Sequence, residues 1–378
     1  MSINVQHRIF GLDIVRATAI LLVLCSHSTL LLFPNESHFI ISVIQFFGAI
    51  GVDLFFVLSG FLIGGIIIKN IDNNKTTPID FMRFWVRRWF KTLPNYFLVL
   101  LLNILVFYLF NKEIIAGIGS FFLFIQNFKT AMPDFFTESW SLSIEEFAYL
   151  LVPVLLLAVI QFSKSVTRNN LFLLVTLVVI LAVFLARLLF YFENDISSYK
   201  AWSHQVRKVV VYRIDSIYYG FFAAYLFSKC RLLWNRYKTC AFICGLILFF
   251  VMHGFIFIFN CQPQTHPLFY TVFYLPLLSI SLLLLFPVFS NWIKGTVFKK
   301  QITFISLISY ALYLLNYSLI LLPLQRIFNI ETFSSIERVM ILMFYWGASF
   351  FFSYILYTYF EKPIMSFRNS RFINKYFC

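Results

Sequence analysis

Ten apolar runs, most of them near twenty residues, follow one another along this 378-residue chain with only short charged or Pro/Asn-rich breaks between them. They lie near 11–33, 45–68, 93–110, 143–160, 171–191, 209–228, 240–259, 268–289, 303–324 and 339–360. A run of that length spans the roughly 30 Å apolar core of a bilayer at about 1.5 Å per helical residue. Lipid offers no partner to a free backbone N–H or C=O, so such runs must close their hydrogen bonds internally, as helices. The expected fold is all-α, a polytopic membrane protein of about ten transmembrane helices. Composition agrees: 61% of residues are hydrophobic and 12% charged, more apolar surface than a water-soluble globule hides and the reverse of a disordered chain. The stretch 114–127 is apolar but short and contains Gly117 and Gly119, so it reads as a re-entrant or interfacial segment. A single membrane domain is expected over 8–368, followed by a short cytoplasmic tail, 369–378.

Charge sets the orientation. Ten spans put both termini on one side. With that side inside, the inner segments hold twenty Lys and Arg and the outer segments seven, a strong positive-inside asymmetry. Both termini are therefore expected to be cytoplasmic. The formal net charge of +14 would raise nucleic acid as a partner for a soluble protein; here the loops account for it, and none is expected. The six cysteines have no zinc-site spacing, so no metal is expected, and Cys240 and Cys244, one turn apart in an apolar run, read as packing. The first run lacks a small-x-small cleavage site and reads as a retained helix.

Ionisable groups inside a bilayer are costly, and each is a candidate for function. The first run carries Asp13, Arg16 and His27. From Arg16 to His27 a helix turns about 1100° and rises about 16 Å, so both lie on one face. Asp13, one turn before Arg16, can pair with it. A histidine merely satisfied by a neighbouring helix fits this stripe equally well. The second run contains Asp53, which needs a partner, and Gly60 and Gly64, a small-xxx-small pair that lets helices approach. Next comes a cluster in which Arg83, Arg87, Arg88 and Lys91 interleave with Trp85 and Trp89 ahead of Pro94. It suits an interfacial helix on anionic lipid or a phosphate clamp, for which arginine is geometrically matched. On the other side, Trp140, Glu145, Glu146 and Tyr149 open a span with adjacent carboxylates beside aromatics, a mouth suited to carbohydrate. Ser143 and Glu146 also have capping-box spacing. Arg213 and Asp215 begin the sixth span, where an ion pair to another helix is as good a reading as a site.

Taken together, the chain resembles the acyltransferase-3 family, integral-membrane O-acyltransferases of bacterial surface glycans. An arginine and histidine separated by ten residues match at Arg16 and His27. G-V-D-x-F-F-x-x-S-G-F matches at Gly51–Phe61, R-R-x-x-R/K-x-x-P-x-Y at Arg87–Tyr96 and W-S-L-x-x-E at Trp140–Glu145. R-x-D-x-x-x-x-G matches at Arg213–Gly220, S-Y-x-x-Y-L at Ser309–Leu314 and F-E-x-P at Phe360–Pro363. The motifs occur in the family's order over nearly the whole chain. Two departures stand out. The family commonly places a histidine two residues after S-Y-x-x-Y-L, where this chain has Asn316. Some members also carry an extracellular hydrolase-like domain, and only about eighteen residues follow the last span here, so none is expected.

The resemblance implies an O-acetyltransferase in the bacterial inner membrane, with no bound cofactor. A cytoplasmic acyl-CoA, foremost acetyl-CoA, would be the donor, and a hydroxyl of an extracytoplasmic polysaccharide or lipopolysaccharide sugar the acceptor. On that reading Arg87, Arg88 and Lys91 bind the donor phosphates, and the pantetheine arm passes Arg16. His27 acts as general base or transient acyl carrier. Glu145 or Glu146 orients His27 or the acceptor, or Asp53 fixes the imidazole tautomer. Trp140, Glu146, Arg213 and Asp215 line the acceptor side. Membrane lipids are the remaining partners. The alternative is a transporter or flippase for a glycolipid or acyl donor, without covalent chemistry, against which the absence of an inverted repeat counts.

Overall fold

The computed structural model describes residues 8–33, 38–162, 166–295 and 297–368; the expected tail 369–378 lies outside them. Every regular element among the described residues is helical. The long helices, in chain order, are α1 (Phe10–Leu32), α2 (Phe39–Asp72), α3 (Pro78–Asn111), α4 (Ser139–Phe162) and α5 (Arg168–Glu193), then α6 (Asp215–Lys229). They continue with α7 (Lys238–Ile258), α8 (Phe269–Asn291), α9 (Lys299–Ile327) and α10 (Ser335–Arg368). All but α6 are long and apolar enough to cross a membrane, nine among the described residues. The expected sixth span is divided at Ile214 into the single turn Val210–Arg213 and α6.

Residues 114–127 do not cross. They form the one-turn helix Gly119–Phe122 and fold back on α3, where the Tyr96 hydroxyl donates to the Phe121 carbonyl at 2.7 Å. The third helix differs from expectation. It begins at a capping box, Thr77 with Asp80, has Pro78 in its first turn and runs through Pro94 without ending. The basic cluster therefore belongs to the same continuous rod as the span and is not a separate loop. Pro at the first turn is tolerated because its missing N–H would have had no helical partner.

The most apolar stretch of α2 is 72% buried and that of α7 only 17%, so α2 is the hub and α7 the periphery. Glycines set the hub's spacing. A Cβ on Gly51 would stand 2.5 Å from the Ala19 carbonyl oxygen of α1. One on Gly60 would stand 2.0 Å from the Ile217 carbonyl oxygen of α6, and one on Gly220 2.3 Å from the Val57 carbonyl oxygen. Alongside these contacts Asp53 of α2 pairs with Arg213, and Arg187 of α5 with Asp215 at 2.6 Å. All four residues are buried, which is the arrangement a low-dielectric interior demands of charge. Cys240 and Cys244 are exposed on α7, not packed as expected, because α7 turns most of its surface outward.

Candidate active site

The site begins with α1. Asp13, expected to pair with Arg16, instead binds Arg8, which precedes the helix, and accepts from the Ser306 hydroxyl of α9 at 2.8 Å. Arg16 is thereby left free to face a cavity of about 560 Å³ bounded by α1, α2, α3, α4, α9 and α10. Arg88, Lys91, Glu145, Tyr310 and Glu361 also line it. Its carboxylates are held: Glu145 by Arg88 at 3.5 Å, Tyr149 at 3.0 Å and Ser59 at 3.1 Å, and Glu361 by the Asn95 amide at 2.7 Å. Arg16 and Lys91 make no hydrogen bond or ion pair with any described residue. The chamber thus holds two cations outside any contact ion pair, with Glu361 the carboxylate nearest in effect to Lys91, a setting for an anionic guest. Arg88 and Lys91 also line a second chamber of about 760 Å³, whose wall includes Lys75, Arg83, Arg87 and Arg368. The two chambers adjoin across Arg88 and Lys91, and their basic linings together make up a basic passage as far as the walls they share.

The inner chamber reaches Tyr313 and Ser141, whose hydroxyls meet at 2.7 Å. Next to Tyr313 along α9, the helix widens into a π turn, Asn316–Leu321. The Asn316 amide nitrogen donates to the carbonyls of Leu312 at 2.6 Å and Tyr313 at 3.0 Å. Its oxygen must then face the other way, and it meets His27 Nδ1 at 2.5 Å. An amide oxygen only accepts, so Nδ1 carries the proton and Nε2 holds the free lone pair. Nε2 has no hydrogen-bond partner among the described residues. The ring packs on Tyr317, centroids 4.7 Å apart. This is an imidazole locked in the tautomer that a general base or nucleophile requires. Outside the spanning helices, burial and then Arg207 push the Lys208 ammonium down to about 8, and its charge is felt at His27.

The acyltransferase-3 model, described as an acyltransferase domain, matches residues 9–358, a range containing the α2 and α3 walls of both chambers, His27 and Asn316. This chain belongs to that acyltransferase family. It is 31% identical over 134 residues to the peptidoglycan O-acetyltransferase OatA of Listeria monocytogenes, covering 31% of this chain and 21% of that one. It is 34% identical over 179 residues to a putative peptidoglycan O-acetyltransferase, YrhL, of Bacillus subtilis, covering 43% and 26%. A putative O-acetyltransferase of Staphylococcus aureus strain COL is 28% identical over 301 residues, covering 72% of this chain and 46% of the relative. The matches thus span less than half the length of these curated relatives. No solved structure matches the chain.

Several residues of this acyltransferase stand elsewhere than their sequence positions suggested. Glu145 and Glu146, expected at an outer mouth opposite the basic cluster, meet that cluster's own helix: Glu145 binds Arg88, and Glu146 accepts from the Thr92 hydroxyl at 2.9 Å. The cause is that α4 starts deep, with Ser139 and Trp140 buried, while the unbroken α3 carries Arg88 inward. Trp140 offers no open face to a sugar: it is 4% exposed, edge-on to Phe56, with the Arg207 guanidinium 5.0 Å from its ring centre. Asp53 is taken by Arg213 and does not orient His27; Asn316 does. Arg213 and Asp215 close buried ion pairs and do not form an acceptor mouth. Among the cluster, Arg88 and Lys91 reach the inner chamber, while Arg87 lines only the outer one.

Asn316 was visible in the sequence only as a departure from the family pattern. Tyr313 and Ser141 were visible only as positions of the S-Y-x-x-Y-L and W-S-L-x-x-E motifs, and Glu138 carried no signal of its own, since what these residues do arises from a π turn and tertiary contacts that no spacing encodes.

Proposed function

We propose that the chain transfers an acetyl group from acetyl-CoA, bound in the basic passage, to a hydroxyl of a cell-surface glycan that reaches His27 from the opposite end. The observation that carries this reading is the Asn316-oriented His27, with Nε2 free, beyond a chamber holding Arg16 and Lys91 outside any contact ion pair. His27 Nε2 takes the hydroxyl proton as the oxygen attacks the thioester carbonyl. The C–S bond breaks, and the CoA thiolate receives that proton. Arg16, Arg88 and Lys91 hold the anionic donor by charge-assisted hydrogen bonds. Peptidoglycan, named for two of the relatives, is the first acceptor to try; lipopolysaccharide and other envelope polysaccharides are alternatives. With the divided sixth span taken as crossing, the positive-inside asymmetry supports an orientation in which the basic passage and both termini face the cytoplasm, the membrane being a bacterial inner membrane.

Reconstitution tests this directly. Purified protein in vesicles, given labelled acetyl-CoA on the basic side and peptidoglycan fragments on the other, is expected to label the glycan. Single-cysteine reporters at Asn73, in the connection before α3, and Lys112, just after it, both exposed, define the sides in a background without native cysteines. In intact cells an impermeant reagent should label Lys112→Cys and spare Asn73→Cys; the reverse would overturn the orientation. No label in the glycan, with donor bound, would favour a carrier.

Donor binding supplies a separate expectation. An Arg16→Ala, Lys91→Ala double variant should bind acetyl-CoA at least about tenfold more weakly, since each charge-assisted contact contributes roughly 1.5–3 kcal/mol. The difference should shrink as salt rises. Calorimetric titration of the detergent-solubilised protein at two salt concentrations checks both statements, and unchanged affinity would remove these cations from the donor site.

A further inference from the structure

Glu138 lies just before α4 and is buried, yet nothing in the transfer step described above uses it. Its Oε1 accepts from both the backbone N–H and the hydroxyl of Ser318, at 3.2 and 2.6 Å. Ser318 sits inside the π turn, two residues beyond Asn316. In an uninterrupted α-helix that N–H would donate to the carbonyl four residues earlier; here a carboxylate oxygen from another segment takes it. At its main chain, Glu138 is held from the opposite side of Asn316. Its carbonyl accepts from Tyr313 at 3.2 Å and Ser141 at 3.3 Å. Glu138 therefore grips α9 on both flanks of Asn316, and Asn316 in turn holds His27.

We propose that Glu138 is a positioning residue for His27, acting through the π turn and Asn316 to keep the imidazole in its Nδ1-protonated form. The physical logic is substitution of partners. A π turn displaces the backbone ladder; the Asn316 side-chain amide adds a donor at the Tyr313 carbonyl and at the Leu312 carbonyl, which also keeps the Asn316 N–H, while Glu138 takes up Ser318. With Glu138 removed, Ser318 loses both partners. The turn can then return toward regular α-helix, which rotates Asn316 away from α1. The inference rests on the proposed role of His27 as base, but its structural half stands apart from that role.

The experiment uses the full chain in detergent and has two readouts. In ¹⁵N-histidine spectra the His27 resonance, assigned by its loss in His27→Ala, should report the Nδ1–H tautomer in the wild type and in Glu138→Gln. In Glu138→Ala it should report a mixture. Glutamine keeps an oxygen at the same reach, so it should rescue. In the transfer assay Glu138→Ala should lower kcat by about 10²-fold, as a misplacement near 1 Å does, with KM for acetyl-CoA unchanged. Glu138→Gln should stay within about threefold of wild type. The Glu138→Ala, Asn316→Ala pair should be no worse than Asn316→Ala alone. If Glu138→Ala fails to fold, Ser318→Ala removes the shorter bond and should shift the tautomer in the same direction. An unchanged tautomer, a glutamine variant as impaired as alanine, or losses that multiply in the double variant would each overturn the proposal. A wild type that shows the tautomer but transfers no acetyl would instead overturn the proposed function.

Discussion

Replacing His27 by alanine is expected to lower acetyl transfer by roughly 10²–10⁴-fold, the contribution of a positioned general base. Affinity for acetyl-CoA should stay within about twofold, since Arg16 stands about 16 Å away along α1 and Arg88 and Lys91 belong to α3. The separation of the two effects follows from the geometry. Arg16, Arg88 and Lys91 line the chamber, whereas His27 lies outside its wall, held by Asn316. Asn316→Leu should reproduce much of the loss while leaving the imidazole in place, because Nδ1 then has no acceptor to fix its proton. Transfer rates and donor titrations on the same preparations check both. A His27→Ala enzyme within a few-fold of wild type would return the histidine to a packing role.

A comparably large effect, on folding rather than chemistry, is expected from one methyl group on Gly60. Its Cβ would stand 2.0 Å from the Ile217 carbonyl oxygen and 2.9 Å from the Gly220 Cα, both backbone atoms. No side-chain rotation relieves that contact, so α2 and α6 must separate, and overpacking of this kind costs at least about 1–3 kcal/mol. Separation also strains the buried Asp53–Arg213 pair along the same two segments, and breaking a buried pair adds several kcal/mol. Gly60→Ala should therefore accumulate poorly in the membrane and lose its monodisperse peak in detergent. Gly65 on the same helix is the control. A Cβ there meets nothing within 4 Å, so Gly65→Ala should be neutral or gain up to about 1 kcal/mol from helix propensity. Fluorescence-detected size exclusion with a heating series distinguishes the two.

The helices were legible because lipid imposes one solution on a long apolar run. The break at Ile214 was not, although Arg213 and Asp215 flank it, because charges also stand inside unbroken spans such as α1 and α6 owes its place to contact with α2. The stripe from Arg16 to His27 followed from helical periodicity alone. What periodicity could not supply was partnership. Asp13 turned from Arg16 to Arg8, which precedes the helix and obeys no helical spacing. Asp53 found Arg213, 160 positions later, with equal indifference to sequence distance. The error over Glu145 had a single cause: Pro94 was read as a helix start, yet α3 continues through it and carries Arg88 deep enough to meet a carboxylate on the buried first turns of α4. Asn316 stood out only against a family pattern, and its meaning depended on a π turn that brings it to His27.

The glycine contacts between α2 and α6 bear on how material could cross this molecule. A carrier that alternates its access needs two bodies able to rock, with an interface that slides at low cost. Here the central interface joins backbone to backbone and is flanked by buried ion pairs, so rocking would pull charges apart without water to receive them. The hub behaves as a fixed pillar. Tyr313 beside it is likewise held, by Ser141 and the Glu138 carbonyl. On the proposed function, a fixed pillar would suit passage of a thin flexible tether and an acetyl group, with the bulk of each substrate staying on its own side.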